Sequence, residues 1–289
     1  MAVVYLNGEY MPEERAAVSP LDRGFIFGDG VYEVIPVYNG HLFRIAEHLR
    51  RLDDSLDGVR IPRPCDHGQW AAILHGLIER NGGGNQSLYL QVTRGVARRD
   101  HAFPMEVRPT VFAMSSPLLP LAEEIRRHGV AAVTLDDNRW ENCHLKTIAL
   151  LPNILLRQQA LDAGGSEAIL IRRGEVTEGA ASNLFMVDKG RIVTPPKGPG
   201  LLPGITRDLI VELARKNDIP VREHAITPAQ LAAADEIWLT SSTREIVPVT
   251  RLDGAAVGDG RPGALWKQIT RLFESYKSGY AEPDAGDPA

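Results

Sequence analysis

Lys146 stands at the start of an apolar run, in the stretch ENCHLKTIALLPN that covers residues 141–153. An amine taken into an apolar environment loses proton affinity, because burial disfavours its charged form. A deprotonated amine is a nucleophile that can attack a carbonyl carbon. The stretch 147–165 predicts a helix, and a cation at a helix start opposes the helix dipole. We therefore interpret Lys146 as a reactive lysine, although a lysine whose ammonium reaches water is the commoner case.

A carboxylate with unusual neighbours occurs in GEVTEGAASNLF, residues 174–185. Glu178 lies where a predicted strand reaches a turn, and the small residues 179–182 follow it directly. Small side chains allow a bulky group to approach the backbone closely. Glu178 is thus a candidate for contact with a ligand, and a solvated acid in a turn is the alternative.

Three further stretches carry groups that bind anions. The stretch LLPGITRDLI predicts a helix that begins near Gly204, and the N–H groups of Ile205 and Thr206 with the Thr206 hydroxyl could bind a phosphate. The stretch TSSTRE, residues 240–245, supplies four hydroxyls. His48 and Arg51 are one helical turn apart, and a guanidinium can bind phosphate with two nitrogens. An ordinary helix start, a polar turn and a solvated helix face are the respective alternatives.

A nucleophilic lysine, a carboxylate and an anion site together match one cofactor. Pyridoxal 5′-phosphate has an aldehyde, a ring nitrogen and a phosphate, so it would use all of these groups. The sequence predicts this cofactor and no metal.

The elements that must position these residues predict an α+β fold, with mixed sheets and flanking helices. Asn-Gly pairs in VVYLNGEYM and VYEVIPVYNGHLF predict hairpins, and RIAEHLRRLDDSLDG predicts an amphipathic helix. We expect a smaller N-terminal domain over 1–115, a linker over 116–124 and a larger C-terminal domain over 125–280 that carries Lys146. The tail 281–289 is expected to be disordered.

Composition excludes several classes of protein. The 289 residues carry a net charge of −5, and the basic residues form scattered pairs, so nucleic acid is not an expected partner. No apolar run could span a bilayer, and the N-terminus does not have the pattern of a signal peptide. Two cysteines, Cys65 and Cys143, are too few for a disulfide framework, which favours the cytoplasm.

The sequence resembles the fold-type IV pyridoxal-phosphate enzymes over nearly its whole length. The resemblance rests on seven motifs in a fixed order: FGDGVYEV, RIAEHLRRL, VTRGVARRDHAFP, CHLKTIALLPNILL, EVTEGAASNLF, LLPGITRDLI and SSTREIVPV. It implies a two-domain enzyme that is a homodimer with a composite active site.

The resemblance also implies roles for individual residues. Lys146 would form the Schiff base with the cofactor, and Glu178 would face the pyridine nitrogen. Leu202 would lie against the ring. The phosphate would be bound by Arg51, Ile205, Thr206 and Ser242.

Within the family, the Arg-x-His pair of Arg99 and His101 resembles the D-amino-acid aminotransferase version, and Tyr32 fits it too. This implies transamination between D-alanine or D-glutamate and a 2-oxo acid, with these three residues binding the substrate carboxylate. Ala180 and Ala181 depart from relatives that have a serine after the Glu-Gly pair, so one hydroxyl contact is missing.

Other functions stay open at this stage. A branched-chain or (R)-amine transaminase and an aminodeoxychorismate lyase would use the same lysine on the same fold. A thiol hydrolase using Cys143 and His144 is disfavoured, because adjacent side chains of an extended segment point apart. A binding protein without catalysis would leave Lys146 idle.

Overall fold

The computed structural model describes residues 2–106 and 108–280, so the predicted disordered tail lies outside the described residues. The chain forms two compact units. The first unit comprises the chain up to Leu119, the segment Leu145–Ala149 and the chain from Lys277 onward. The second unit comprises Pro120–His144 and Leu150–Tyr276. No helix within the described ranges is long and apolar enough to cross a membrane.

The sheet of the first unit has six strands. They are β1 (Val3–Leu6), β2 (Glu9–Pro12), β3 (Gly30–Tyr38), β4 (His41–Leu42), β5 (Gln86–Thr93) and β6 (Thr110–Pro117). Their order is β2-β1-β6-β5-β3-β4, and every neighbouring pair is antiparallel. The predicted Asn-Gly hairpins are confirmed. Asn7 and Gly8 join β1 to β2, Asn39 and Gly40 join β3 to β4, and all four have the positive φ that a tight hairpin turn requires.

Three helices belong to the first unit: α1 (Arg23–Phe27), α2 (Ile45–Gly58) and α3 (His67–Arg80). The amphipathic helix predicted at this position is α2, and its residues Leu49, Leu52 and Leu56 are buried in the core with side chains of β3, β5 and α3. The position of α2 matters for function, because its polar residues His48 and Arg51 are carried inward with the same face.

The second unit holds a mixed nine-stranded sheet. Its strands are β7 (Val130–Asp136), β8 (Glu167–Arg172), β9 (Glu175–Gly179), β10 (Asn183–Asp188), β11 (Arg191–Thr194), β12 (Val221–Glu223), β13 (Glu236–Ser241), β14 (Glu245–Leu252) and β15 (Ala255–Ala256). The order is β12-β11-β10-β13-β14-β7-β8-β9, with β15 paired to β14. The pairs β11–β12, β14–β7 and β7–β8 are parallel and the others antiparallel, so the predicted mixed sheet and the α+β class are confirmed.

The remaining helices are α4 (Glu123–His128), α5 (Leu151–Asp162), α6 (Ile205–Lys216), α7 (Pro228–Ala232) and α8 (Ala264–Tyr280). Because β6 runs to Pro117 and α4 begins at Glu123, the expected linker at 116–124 contains the ends of two elements. Its role as a domain boundary stays a prediction.

The predicted helix over 147–165 begins four residues later than expected. In the structure α5 begins at Leu151, with Pro152 in its first turn, and the segment 146–148 is extended instead. The reason is tertiary: Thr147 forms a bridge with Val31 of β3, so the backbone of this segment is used for pairing with the sheet. The expectation that Lys146 stands at a helix start is therefore wrong, and its conflict with a helix dipole does not arise.

Candidate active site

The candidate residues form two groups, one within each unit. Lys146 belongs to the first group, and its backbone is fixed on both sides by hydrogen bonds. Its carbonyl accepts from the Tyr32 N–H at 2.9 Å, and its own N–H donates to the Ser55 Oγ at 3.1 Å. The next bond along the segment runs from the Ile148 N–H to the Gly30 carbonyl at 3.0 Å. An extended segment pinned to β3 and α2 thus holds the lysine in place.

The Lys146 side chain is half-buried, and its Nζ lies 4.1 Å from the centroid of the Tyr32 ring. Tyr32 in turn stacks on Tyr89 with ring centroids 5.6 Å apart. Within the described residues the Lys146 ammonium has no carboxylate partner. A cation that contacts a ring face and is not neutralised by a carboxylate keeps its nitrogen accessible to an incoming carbonyl group.

Arg51 and His48 surround a carboxylate that sequence reasoning did not identify. Glu33 of β3 is fully buried, and its carboxylate accepts from the Nε and Nη2 of Arg51 at 2.7 and 2.8 Å. The Nδ1 of His48 lies 2.7 Å from the same carboxylate. The predicted anion-binding arginine therefore has two of its nitrogens held by an acid, which fixes the plane of its guanidinium.

This network also shifts the pKa values of its members. Burial alone would raise the pKa of Glu33, but Arg51 and His48 overcome it, so the pKa lies well below the ordinary value. Burial lowers the pKa of His48, and Glu33 only partly compensates. The network is thus an ionised carboxylate, a guanidinium and an imidazole with a strong preference for its neutral form. A charged residue at an inward position of a strand, between Val31 and Ile35, is the sequence signal that could have revealed Glu33.

Arg99 and His101 lie in the chain between β5 and β6, and both side chains are exposed. The Arg99 guanidinium is 5.4 Å from the centroid of the Phe27 ring, and the His101 ring is 5.5 Å from the same ring. The structure thus brings these two predicted residues together around one aromatic side chain of α1. The third predicted member, Tyr32, contacts Tyr89 and Lys146 instead.

Glu178 belongs to the second group and is buried at the end of β9. Its carboxylate accepts from Arg139 Nη1 at 2.7 Å, and from Asn183 Nδ2 and the Leu202 N–H at 3.1 Å each. Burial is the largest influence and raises the pKa of Glu178 to about 7, against the opposing effect of Arg139 and Leu202. The alternative of a solvated turn acid is therefore wrong.

Arg139 is the residue of the second group that sequence reasoning missed. Its Nε and Nη2 bind the fully buried Asp137 at 2.9 Å each, while Nη1 binds Glu178. Because Arg139 lies in an irregular stretch between β7 and α5, no periodicity marks it. It fixes the orientation of Glu178, as an outer partner does for a functional carboxylate.

The start of α6 has the features of an anion site. Gly204 precedes the helix, and no side chain caps its first turn. A Cβ at position 204 would lie 1.9 Å from the Asn183 Oδ1, so only glycine fits here. Ile205 and Thr206 are buried in this first turn, and Ser242 lies half-buried in the turn between β13 and β14. Next to that turn the Thr240 hydroxyl is buried without a hydrogen-bond partner among the described residues.

The loop after Glu178 is closed by main-chain contacts. The Ala180 carbonyl accepts from Asn153 Nδ2 at 2.7 Å, and Ala180 itself is buried. The Ser182 hydroxyl contacts the buried Glu167 at 3.4 Å. The hydroxyl that is missing at Ala180 and Ala181 is therefore not replaced by Ser182, which is turned toward another acid.

A mixed sheet with these two groups of residues defines an α+β enzyme of the aminotransferase kind, and comparison with known proteins agrees. The model of the amino-transferase class IV family matches residues 30–252, so the chain belongs to that family. The D-alanine aminotransferase of Bacillus licheniformis is 41% identical over 94% of this chain and 96% of its own length. That of Staphylococcus epidermidis is 38% identical over 96% of this chain and 98% of its own.

Solved structures with the same fold are branched-chain amino acid aminotransferases. The Escherichia coli enzyme superposes with a TM-score of 0.91 at 29% identity and covers 99% of this chain and 97% of its own. The T.th. enzyme, solved with pyridoxamine 5′-phosphate, gives 0.89 at 26% identity, over 98% of this chain and 95% of its own. These matches confirm the predicted fold-type IV architecture and the aminotransferase class.

Proposed function

We propose that this protein transfers the amino group of D-amino acids such as D-alanine or D-glutamate to 2-oxo acids, with pyridoxal 5′-phosphate as cofactor. The observation that carries the D-specific part is the Arg99-x-His101 pair gathered on Phe27, in a chain that is 41% identical to a D-alanine aminotransferase. Two positively polarised side chains on one loop suit a single small anion such as the α-carboxylate.

The residues of both groups fit the cofactor. Lys146 offers an amine without a carboxylate partner among the described residues, and Glu178 offers a buried carboxylate for a ring nitrogen. The uncapped start of α6, at Ile205 and Thr206, offers N–H groups for a phosphate, and the unpartnered Thr240 hydroxyl marks a nearby position that can take another hydrogen bond. Arg51 and Ser242 would complete the phosphate contacts, and Leu202 would cover one face of the ring.

The bound cofactor supplies an electron sink for the charge that develops at the substrate α-carbon. Lys146 would hold the cofactor covalently and, once displaced by the substrate amine, would move the proton of the α-carbon. Glu178 would hold a proton at the ring nitrogen. A carboxyl whose pKa is raised to about 7 is basic enough for this task, and Arg139 keeps it oriented.

Handedness would follow from two fixed points. Lys146 fixes the position at which the α-carbon proton is removed, while Tyr32, Arg99 and His101 would fix the carboxylate. With both points set, only one enantiomer directs its proton toward the lysine. The side chain of the substrate then takes the remaining direction.

We further propose a homodimer with a composite site, acting in the cytoplasm. Leu151, Ile154 and Leu155 form one exposed apolar face of α5, which is typical of a surface covered by another chain. Cys65 and Cys143 are unpaired thiols, which suits a reducing compartment.

A branched-chain aminotransferase is the second candidate, because its solved representatives superpose with TM-scores up to 0.91. The two candidates differ in the handedness of the substrate. An aminodeoxychorismate lyase would release pyruvate from its substrate without any amino acceptor.

The test compares the wild type with Lys146→Ala and with Lys267→Ala, a control at an exposed lysine of α8. We expect yellow wild-type protein that transaminates D-alanine far better than L-leucine. Lys146→Ala should lose nearly all turnover and the absorbance of the linked cofactor, and Lys267→Ala should lose neither. Normal turnover in Lys146→Ala would refute the proposal, and a preference for L-leucine would replace it with the branched-chain function.

A further inference from the structure

The loop that carries Arg99 and His101 needs an anchor outside these two residues. Both side chains are exposed, and within the described residues neither makes a hydrogen bond or an ion pair. Contact with one ring, that of Phe27, leaves several orientations of the loop open. A substrate contact that must hold to within a fraction of an ångström requires a more rigid support.

Arg23 of α1 provides a direct contact with this loop. It is 4% exposed, and its Nη1 donates to the carbonyl of Asp100 at 2.6 Å and, more weakly, to that of Ala102 at 3.4 Å. These two carbonyls flank His101 along the chain. A single buried guanidinium group therefore fixes the backbone on both sides of a proposed substrate-binding residue.

Asp29 fixes Arg23 and connects it to a second arginine. The Asp29 carboxylate accepts from Arg23 Nε at 2.7 Å, and from the Nε and Nη2 of Arg94 at 2.7 and 2.9 Å. Burial would raise the pKa of Asp29, but the hydrogen bonds from Arg94 and Arg23 outweigh it and lower the pKa. Arg94 also lies 3.7 Å from the centroid of the Phe103 ring, so the same carboxylate supports the next part of the loop.

The base of the loop is closed by backbone contacts. Gly95 has φ +94°, and a Cβ there would lie 2.0 Å from the Arg108 carbonyl on the other side of the loop. The Arg23 N–H donates to the Gly95 carbonyl at 2.9 Å. Arg23 thus touches the loop at its base through the main chain and near its tip through the side chain.

We propose that Arg23, held by Asp29, is a positioning residue for the substrate carboxylate: it sets the orientation of residues 99–101. Two buried arginines on one carboxylate are an expensive way to stabilise a fold, because apolar side chains of similar volume usually serve as well. The arrangement is explained if the loop must present Arg99 and His101 in one orientation. This inference rests on the proposed function, in which these two residues bind the α-carboxylate.

The test uses the intact enzyme with Arg23→Lys, Arg99→Ala and the double variant, measured with D-alanine. A lysine keeps the charge beside Asp29, but its single nitrogen cannot also reach the loop carbonyls. We expect KM in Arg23→Lys to rise on the order of tenfold or more, since small misplacements are costly, while kcat and the cofactor absorbance stay near wild type. Arg63→Lys, at an exposed ion pair with Asp57, is the matched control and should change nothing.

The double variant separates positioning from a general role in stability. If Arg23 acts through the loop, kcat/KM falls on the order of a hundredfold in Arg99→Ala, and adding Arg23→Lys lowers it little further. Unchanged KM in a folded Arg23→Lys, or fully multiplicative losses in the double variant, would overturn the proposal. Should Arg23→Lys not fold, Arg23→Gln is read by the same criteria. Intact D-alanine kinetics in Arg99→Ala would instead overturn the proposed function itself.

Discussion

At the scale of single residues, Glu178 shows how burial and hydrogen bonds set the character of a carboxylate. Its oxygens accept from a guanidinium, an amide and a backbone N–H, yet burial still raises the pKa to about 7. Glutamine in this place would keep the shape and the hydrogen bond from Leu202 but could not carry charge.

We expect Glu178→Gln to lower kcat for D-alanine on the order of a hundredfold or more, the size of loss seen when a preorganised electrostatic contact is removed. Steady-state kinetics with saturating cofactor measures it. Glu175→Gln, an exposed acid on the same strand, is the control and should leave kcat unchanged. An unchanged kcat in Glu178→Gln would mean that the ring charge is held by another group.

The Glu33 network makes a second prediction at this scale, for stability against acid. The lowered pKa of Glu33 contributes stability that is present above its unfolded value of about 4.5 and is lost as the pH falls further. The lowered pKa of His48 adds a loss that begins as the pH falls through about 6.5. Both effects have the same sign, so acid weakens the fold progressively below neutrality.

Glu33→Gln should lower the free energy of unfolding at neutral pH by about 3–5 kcal/mol, because it leaves the buried Arg51 without its charge partner. The difference from the wild type should shrink as the pH falls below 4.5, where the wild type loses the same contribution. Urea unfolding across this range measures it, with the exposed Glu79→Gln of α3 as control. Parallel pH profiles for wild type and Glu33→Gln would contradict the assignment.

At the scale of elements, the start of α6 depends on the absence of a side chain. Gly204→Ala would place a Cβ 1.9 Å from the Asn183 Oδ1, and Asn183 also donates to Glu178. We expect a loss of about 1–3 kcal/mol in stability, as for other overpacked sites, together with weaker binding of pyridoxal 5′-phosphate. Thermal unfolding and cofactor titration measure the two effects. Gly198→Ala, in the loop before α6, meets no atom within 4 Å and is the control. Wild-type behaviour of Gly204→Ala would show that this close approach is not needed.

Local signals predicted most elements, and long-range pairing decided the exceptions. The Asn-Gly hairpins and α2 follow from short patterns that act over a few residues. The start of α5 was misplaced because Thr147 pairs with Val31, which no local pattern records. For the same reason the sequence revealed Arg51 and Glu178 but not their partners: Glu33 is 18 positions from Arg51, and Arg139 is 39 positions from Glu178.

At the scale of the whole molecule, the proposed composite dimer predicts complementation between two inactive variants. If Arg99 serves the active site of the partner subunit, a mixed dimer of Lys146→Ala and Arg99→Ala contains one site with both residues intact. Co-expression under two affinity tags should then yield about a quarter of wild-type D-alanine turnover from a random mixture of symmetric dimers. Light scattering checks the dimer itself. Activity no higher than the mean of the two parent variants would place Arg99 in the site of its own chain.

The pinning of Lys146 to β3 and Ser55 has a consequence for the motions of the chain. The stretch between β7 and α5 is irregular, so most of its amide hydrogens should exchange with solvent quickly. The amides of Lys146 and Ile148 are different, because they donate to Ser55 and Gly30 and can exchange only when the first unit opens around β3. The amide of the reactive lysine would then exchange at the slow rate of the sheet, while the residues on either side of this segment exchange at the fast rate of a loop.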